Sequence, residues 1–224
     1  MFLVFILIAM INITPVSSLA FAQTDKSKFL FSTNESPYGI SYPQWMQKWW
    51  SWIANFTKAN NPNDHYTQDK CQINQNLGEK VWFLTVPPPE ESSWQRICHI
   101  PKSMAILWPI VTGECDTGDT NVPLDCAKRG DEGARIQVFI DGIKFNYDAI
   151  KDRSTSGLFN ITWIKDNFFE SKPGVFQGAV DGYFLFLKPL PIGNHTISFE
   201  SDVLPPSNPE EGYHQKGEYI LTIG

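Results

Sequence analysis

From Val81 onward the chain is a succession of short β-forming runs separated by Pro, Gly and Asp, and this rhythm limits the fold more than any other feature. VWFLTV (81–86) ends at three consecutive prolines, Pro87-Pro88-Pro89. Arg96–Ile100 and MAILWPIV (104–111) follow, and Pro109 inside the latter predicts a bulge or an edge position. RIQVFIDGIKFNY (135–147) holds two alternating runs joined by Asp141-Gly142, a pair suited to the left-handed residues of a type I′ hairpin turn. Leu158–Ile164, YFLFL (183–187), HTISFE (195–200) and Gly217–Ile223 complete the set. The turn-rich segment 188–194 predicts a second hairpin. No βαβ alternation and no internal repeat occurs. Eight or nine short strands in this pattern predict a mainly β protein, an antiparallel β-sandwich of jelly-roll or immunoglobulin-like type.

One helix precedes the strands. Ser41 is a good N-cap, Gln44 completes a capping box, and Pro43 sits in the first turn, where its missing N–H is not needed. Asn60-Asn61-Pro62 offers a stop, so the helix is predicted over 42–59. It contains WMQKWWSW (45–52), four of the chain's eight tryptophans. On a wheel of about 100° per residue, Trp45, Trp49, Trp52 and Phe56 form one stripe, with Tyr42, Ile53 and Met46 on the same side. That stripe is expected to bury itself on a sheet. Trp50 falls about 140° from Trp45 and is expected to stand half-exposed.

The N-terminus reads as an export signal. Met1–Ile13 is almost wholly apolar, and Ala20-Phe21-Ala22 fits a small-x-small cleavage site. This divides the chain into a signal peptide (1–22), an arm (23–37) and one β-sandwich domain (38–224) that includes the helix. The apolar run is shorter than a bilayer span. Because no Lys or Arg precedes it, an uncleaved anchor is the alternative reading. A net charge of −6 argues against nucleic acid. The four cysteines, Cys71, Cys98, Cys115 and Cys126, suit an oxidising compartment, and no close C-x2-C pair supports zinc. Three disulfide connectivities are open. Cys71–Cys98 with Cys115–Cys126 is preferred, because the second pair closes a short Gly/Asp/Pro-rich loop. Asn34, Asn55, Asn160 and Asn194 head Asn-x-Ser/Thr sequons and are possible glycosylation sites.

The ordered motifs YGISYPQWMQKWWSW, GEKVWFL after a Cys, RICHIPKSMAILWPI, VFIDG and DGYFLFLKPLPIGNHTISFE span roughly residues 38–200. Together they resemble a family of uncharacterised secreted prokaryotic proteins. The resemblance implies secretion and a mainly β fold, and it brings no catalytic residues with it.

Candidate sites follow from residue types. Trp50 and Trp94 are the aromatic residues expected to present faces to a ligand such as a sugar. Segment 112–133 is expected to be a long polar loop carrying Glu114, Asp116, Asp119, Asp125 and Asp131. Calcium favours such acidic loops, and Glu114, Asp116 and Asp119 are the candidate ligands, although the spacing departs from the EF-hand pattern and a solvated loop is the preferred reading. The histidines, His65, His99, His195 and His214, are scattered, and no nucleophile or metal motif is present. His65 lies beside Asp64, and alternation places His99 opposite Cys98 and Ile100. The expected function is a disulfide-stabilised binding protein of the cell surface or envelope, with a glycan or another envelope component as partner. One alternative is an extracellular hydrolase whose carboxylates, such as Glu114 and Asp116, converge only in the fold. The other is a structural envelope protein.

Overall fold

A computed structural model describes residues 25–60, 62, 71–86, 93–130, 132–204, 210 and 212–224. The expected signal segment 1–22, His65 with Asp64, Pro87-Pro88-Pro89 and Asp131 lie outside the described residues. Within them are α1 (Tyr42–Ile53), α2 (Pro123–Arg129) and nine strands: β1 (Val81–Phe83), β2 (Ser93–Ile100), β3 (Ala105–Asp116), β4 (Arg135–Ile140), β5 (Ile143–Asn146), β6 (Arg153–Trp163), β7 (Gly174–Leu187), β8 (Gly193–Val203) and β9 (Tyr213–Ile223).

The strands form two sheets, ordered β1-β3-β7-β6 and β2-β9-β8-β4-β5. In chain order this is the immunoglobulin arrangement A-B-E-D against G-F-C-C′, with β2 added beside the last strand, so the alternatives of the sequence resolve away from a jelly-roll. The expected antiparallel pairing is modified at two edges, where β1 runs parallel to β3 and β2 parallel to β9. Parallel neighbours need a crossover. Here the chain crosses from β1 in one sheet to β2 in the other before returning to β3.

Two apolar layers hold this together. Between the sheets, Trp82, Trp108 and Leu185 meet Trp94, Val138, Phe199, Tyr219 and Leu221. Rings of Trp94, Trp108, Phe199 and Tyr219 pack edge-to-face with centroids 5.1–6.4 Å apart. Gly217 makes this possible, since a Cβ there would stand 2.4 Å from Trp94 Cζ2 and 2.7 Å from Phe199 Cε1. On the outer face of the four-stranded sheet, α1 buries Trp45, Trp49 and Ile53 against Phe83, Leu107, Phe184 and Phe186. The capping box at Ser41 and Gln44 starts α1 as expected.

Four sequence expectations are corrected. First, α1 stops at Ile53 rather than near residue 59. Backbone pairing with another segment wins there: Phe168 N donates to Phe56 O (3.0 Å), Lys58 N donates to Asp166 O (3.0 Å), and Thr57 bridges Asn167. Second, segment 112–133 is not one loop, because β3 continues to Asp116 and α2 occupies Pro123–Arg129. Third, β7 and β8 do not form a hairpin, for they belong to different sheets. Pro189 and Pro191 can donate no ladder bonds, and Leu190 tucks into the inter-sheet core. Fourth, the expected antiparallel sheets carry the two parallel edges described above. The other hairpin is present, with positive φ at both Asp141 (48°) and Gly142 (77°), and the bulge in β3 lies between Pro109 and Val111.

Candidate functional site

The buried residues of α1 are Tyr42, Trp45, Met46, Trp49, Trp50 and Ile53, an i, i+3, i+4 series along the helix. On the wheel this arc is centred about 70° from Trp45, near Tyr42 and Ile53, rather than on Trp45 itself. Trp50 therefore falls inside the arc and Trp52 outside it. Phe169, from the β6–β7 connection, lies over Trp50 with centroids 5.4 Å apart, and Trp50 is only 7% exposed. Trp94 is 9% exposed, beneath the Arg96 guanidinium, which stands 4.9 Å from its ring centroid. Neither residue presents the open face expected of it.

Trp52 is the half-buried tryptophan of the helix. Its indole Nε1 donates to Asn74 O (3.0 Å), and its ring packs edge-on against Phe56 (5.0 Å) and Phe83 (5.5 Å). These contacts hold the ring in one orientation. Trp52 lines an open groove of about 780 Å³ that follows the polar face of α1. Gln44, Gln47, Lys48, Ser51 and Asn55 form one wall; Asn76, Glu79 and Phe83 line it as well, with Phe159 and Asn160 from β6. From Gln44 to Trp52 the helical rise is about 12 Å, and Asn55 lies just past the helix end, so the groove is elongated. Lys48 Nζ and Glu79 Oε1 pair at 2.9 Å, which leaves the lining without net charge. The side-chain amides supply both donors and acceptors, and the aromatic rings supply apolar faces. A groove of this volume and mixed lining falls within the range of small-ligand sites. The apolar spacing fits Trp52 as well as Trp50, so no sequence signal separated the two; the cover that Phe169 gives Trp50 does.

Among the described residues no group of three or more His, Cys, Asp or Glu side chains is placed to hold a metal ion. Asp116 is 2% exposed and already bonded, accepting from Trp163 Nε1 (2.6 Å) through Oδ2 and from Gly118 N (2.6 Å) through Oδ1. Asp119 and Asp125 are exposed. Glu114 packs over the backbone of Gly178, where a Cβ would stand 2.7 Å from its Oε1. That oxygen is buried with no hydrogen-bond partner among the described residues. Burial, then the charges of Asp116 and Asp119, push the Glu114 carboxyl up to about 8. A protonated Glu114 near Asp116 has the acid and carboxylate composition of a glycosidase pair. Asp116, however, is closed to a substrate by its burial, and Glu114 is half-buried.

The described histidines do not converge. His99 faces outward from β2, opposite Cys98 and Ile100 as expected. His195 Nδ1 lies 2.7 Å from Asp141 Oδ2 and its Nε2 3.0 Å from Pro191 O, while His214 Nδ1 lies 2.7 Å from Asp202 Oδ1. The outward row of the five-stranded sheet is laced by further pairs, Lys216 with Glu200 and Gln95 with Glu218. The disulfides are Cys71–Cys98 and Cys115–Cys126, the preferred pairing. All four sequon asparagines are exposed. Among the described residues, no helix is long and apolar enough to cross a membrane.

No family model matches the chain, and no curated protein matches it. Among solved structures it is similar to the cysteine protease inhibitor EhICP2 from Entamoeba histolytica, at 15% identity and a TM-score of 0.23, over 64% of this chain and 95% of that one. It is also similar to PbICP-C, solved in complex with falcipain-2, at 10% identity and a TM-score of 0.24, over 63% of this chain and 98% of that one. Likeness at these TM-scores carries no argument about function.

Proposed function

We propose that this is an exported carbohydrate-binding domain of the cell surface or envelope, and that its sugar platform is Trp52. The observation that carries the reading is the fixed, half-buried indole of Trp52 beside a row of side-chain amides in an elongated, uncharged groove. Sugars present alternating apolar C–H faces and hydroxyl edges. An aromatic face meets the first, and amide groups that both donate and accept meet the second. The groove's length suits an oligosaccharide rather than a single ring, and its balanced charge suits a neutral one. Export is supported by the two disulfides and by the signal-like N-terminus. Membership of the secreted prokaryotic family that the sequence resembles is part of the same proposal.

The test is a glycan array followed by titration calorimetry with the array's best ligand. Trp52→Ala is expected to remove about 2 kcal/mol of binding, as for a central aromatic anchor. That is about thirtyfold in Kd. Thermal melting of the same variant checks that it remains folded. A protein free of attached glycan that binds no array carbohydrate, or a folded Trp52→Ala protein with undiminished affinity, would refute the reading.

A further inference from the structure

We propose that Asn55 is an N-glycosylation site whose attached sugar lies on Trp52 and fills the groove, so that modification closes the site to free ligand. The proposal rests on the groove reading above and adds a second source for its carbohydrate, the chain itself. Asn55-Phe56-Thr57 is a complete sequon. It follows α1 directly, in the stretch where the backbone leaves the helix to pair with 166–168. Asn55 is exposed, and its amide Nδ2 donates only locally, to Ser51 O at 2.6 Å.

What sets Asn55 apart from the other three sequons is its neighbour. Trp52 is one helical turn earlier, and both residues line the same groove. Asn34 lies in a turn of the N-terminal arm. Asn194 is in β8, where its Oδ1 accepts from Thr222 Oγ1 (3.2 Å) on the open sheet face. Asn160 also lines the groove, from β6, but it belongs to a different element from Trp52. Asn55 is the sequon that stands one helical turn from the fixed Trp52 indole.

The step needs a glycosyl donor activated by a lipid-linked phosphate and the transferase that uses it. Asn55 Nδ2 gives up a proton and forms a bond to the donor's anomeric carbon. The bond from that carbon to the phosphate oxygen breaks, and the lipid phosphate leaves with the electron pair. The Asn55–Ser51 hydrogen bond opens as the sugar is added. The first ring then starts at the Trp52 end of the groove, its C–H face against the indole and its hydroxyls toward the amide row.

Peptide mapping by mass spectrometry of the protein purified from its native producer tests the assignment. A glycan mass on the Asn55 peptide is expected, absent in Asn55→Gln and Thr57→Ala and retained in Thr57→Ser. Loss of the glycan through Thr57→Ala is expected to lower Tm by several degrees, and this drop should vanish in the Trp52→Ala background, because the two effects share one contact. An unmodified Asn55 overturns the proposal, as does a Tm drop that is unchanged without Trp52. On the glycan array, Thr57→Ala, which removes the sequon and leaves the groove lining intact, is expected to bind and the modified wild type to bind at least tenfold more weakly. Equal binding by both overturns the closure. A modified Asn55 with no array binding even by Thr57→Ala supports the attached sugar and sinks the free-ligand reading alone.

Discussion

Replacing Glu114 by Gln is expected to raise stability at neutral and alkaline pH, and by more as the pH rises. Glu114 Oε1 is buried without a hydrogen-bond partner among the described residues, and burial together with Asp116 and Asp119 pushes the carboxyl up from 4.5 to about 8. Because the native value lies above the unfolded one, the folded chain holds more protons than the unfolded chain between those limits. Stability is then full below pH 4.5 and falls as pH rises through the window to about 8. At about 1.4 kcal/mol for each pH unit, the whole window bounds the loss near 5 kcal/mol. Partial solvent access around the side chain trims this to about 2–3 kcal/mol. Gln keeps the shape and cannot ionise. Urea unfolding of both proteins at pH 5, 7 and 9 reads the effect as a gap that widens by about 2 kcal/mol from pH 5 to pH 9 in favour of Gln. The paired cysteines offer no free thiol to exchange at pH 9. Two stability curves that stay parallel across this range would show that Glu114 does not carry a buried proton.

Three further outcomes are expected. Gly217→Ala should cost about 3 kcal/mol or more in urea unfolding, because its Cβ would fall 2.4 Å from Trp94; adding Trp94→Leu should recover part of the loss, and no recovery would place the strain elsewhere. Cys115–Cys126 is partly exposed and Cys71–Cys98 is buried, so limited reduction followed by alkylation and mass mapping should label Cys115 and Cys126 first. Removing the Cys115–Cys126 bridge by paired Ser substitutions should cost about 3 kcal/mol, as for a short closed loop. Phe169→Ala should uncover Trp50, raising acrylamide quenching of tryptophan fluorescence while costing about 1–2 kcal/mol, less than a fully buried Phe because Phe169 is 37% exposed.

Local patterns that depend on nearest neighbours were legible in the chain. The Ser41–Gln44 capping box, the Asp141-Gly142 turn, the Pro109 bulge and the outward His99 all follow from a few consecutive residues and the geometry of one element. The disulfide pairing is the preferred one of the three connectivities that the sequence left open. A helical wheel orders the residues of α1 but does not say where its buried arc is centred. The sheet and the β6–β7 connection decide that, by covering Trp50 with Phe169 and leaving Trp52 at the groove.

The chain by itself therefore determined a β-rich protein with one tryptophan helix, an even set of cysteines and four Asn-x-Ser/Thr sequons. Only the tertiary structure decided that β7 and β8 part into different sheets, that β1 and β2 run parallel to β3 and β9, and that α1 ends at Ile53. The same holds for Glu114, an ordinary acid in the sequence whose proton is held by a desolvated position over Gly178. The physical reason is common to all of these. Covering groups and pairing partners come from distant parts of the chain, as Phe169 does for Trp50, Asp166 for Lys58 and Gly178 for Glu114, and no short-range pattern carries that information.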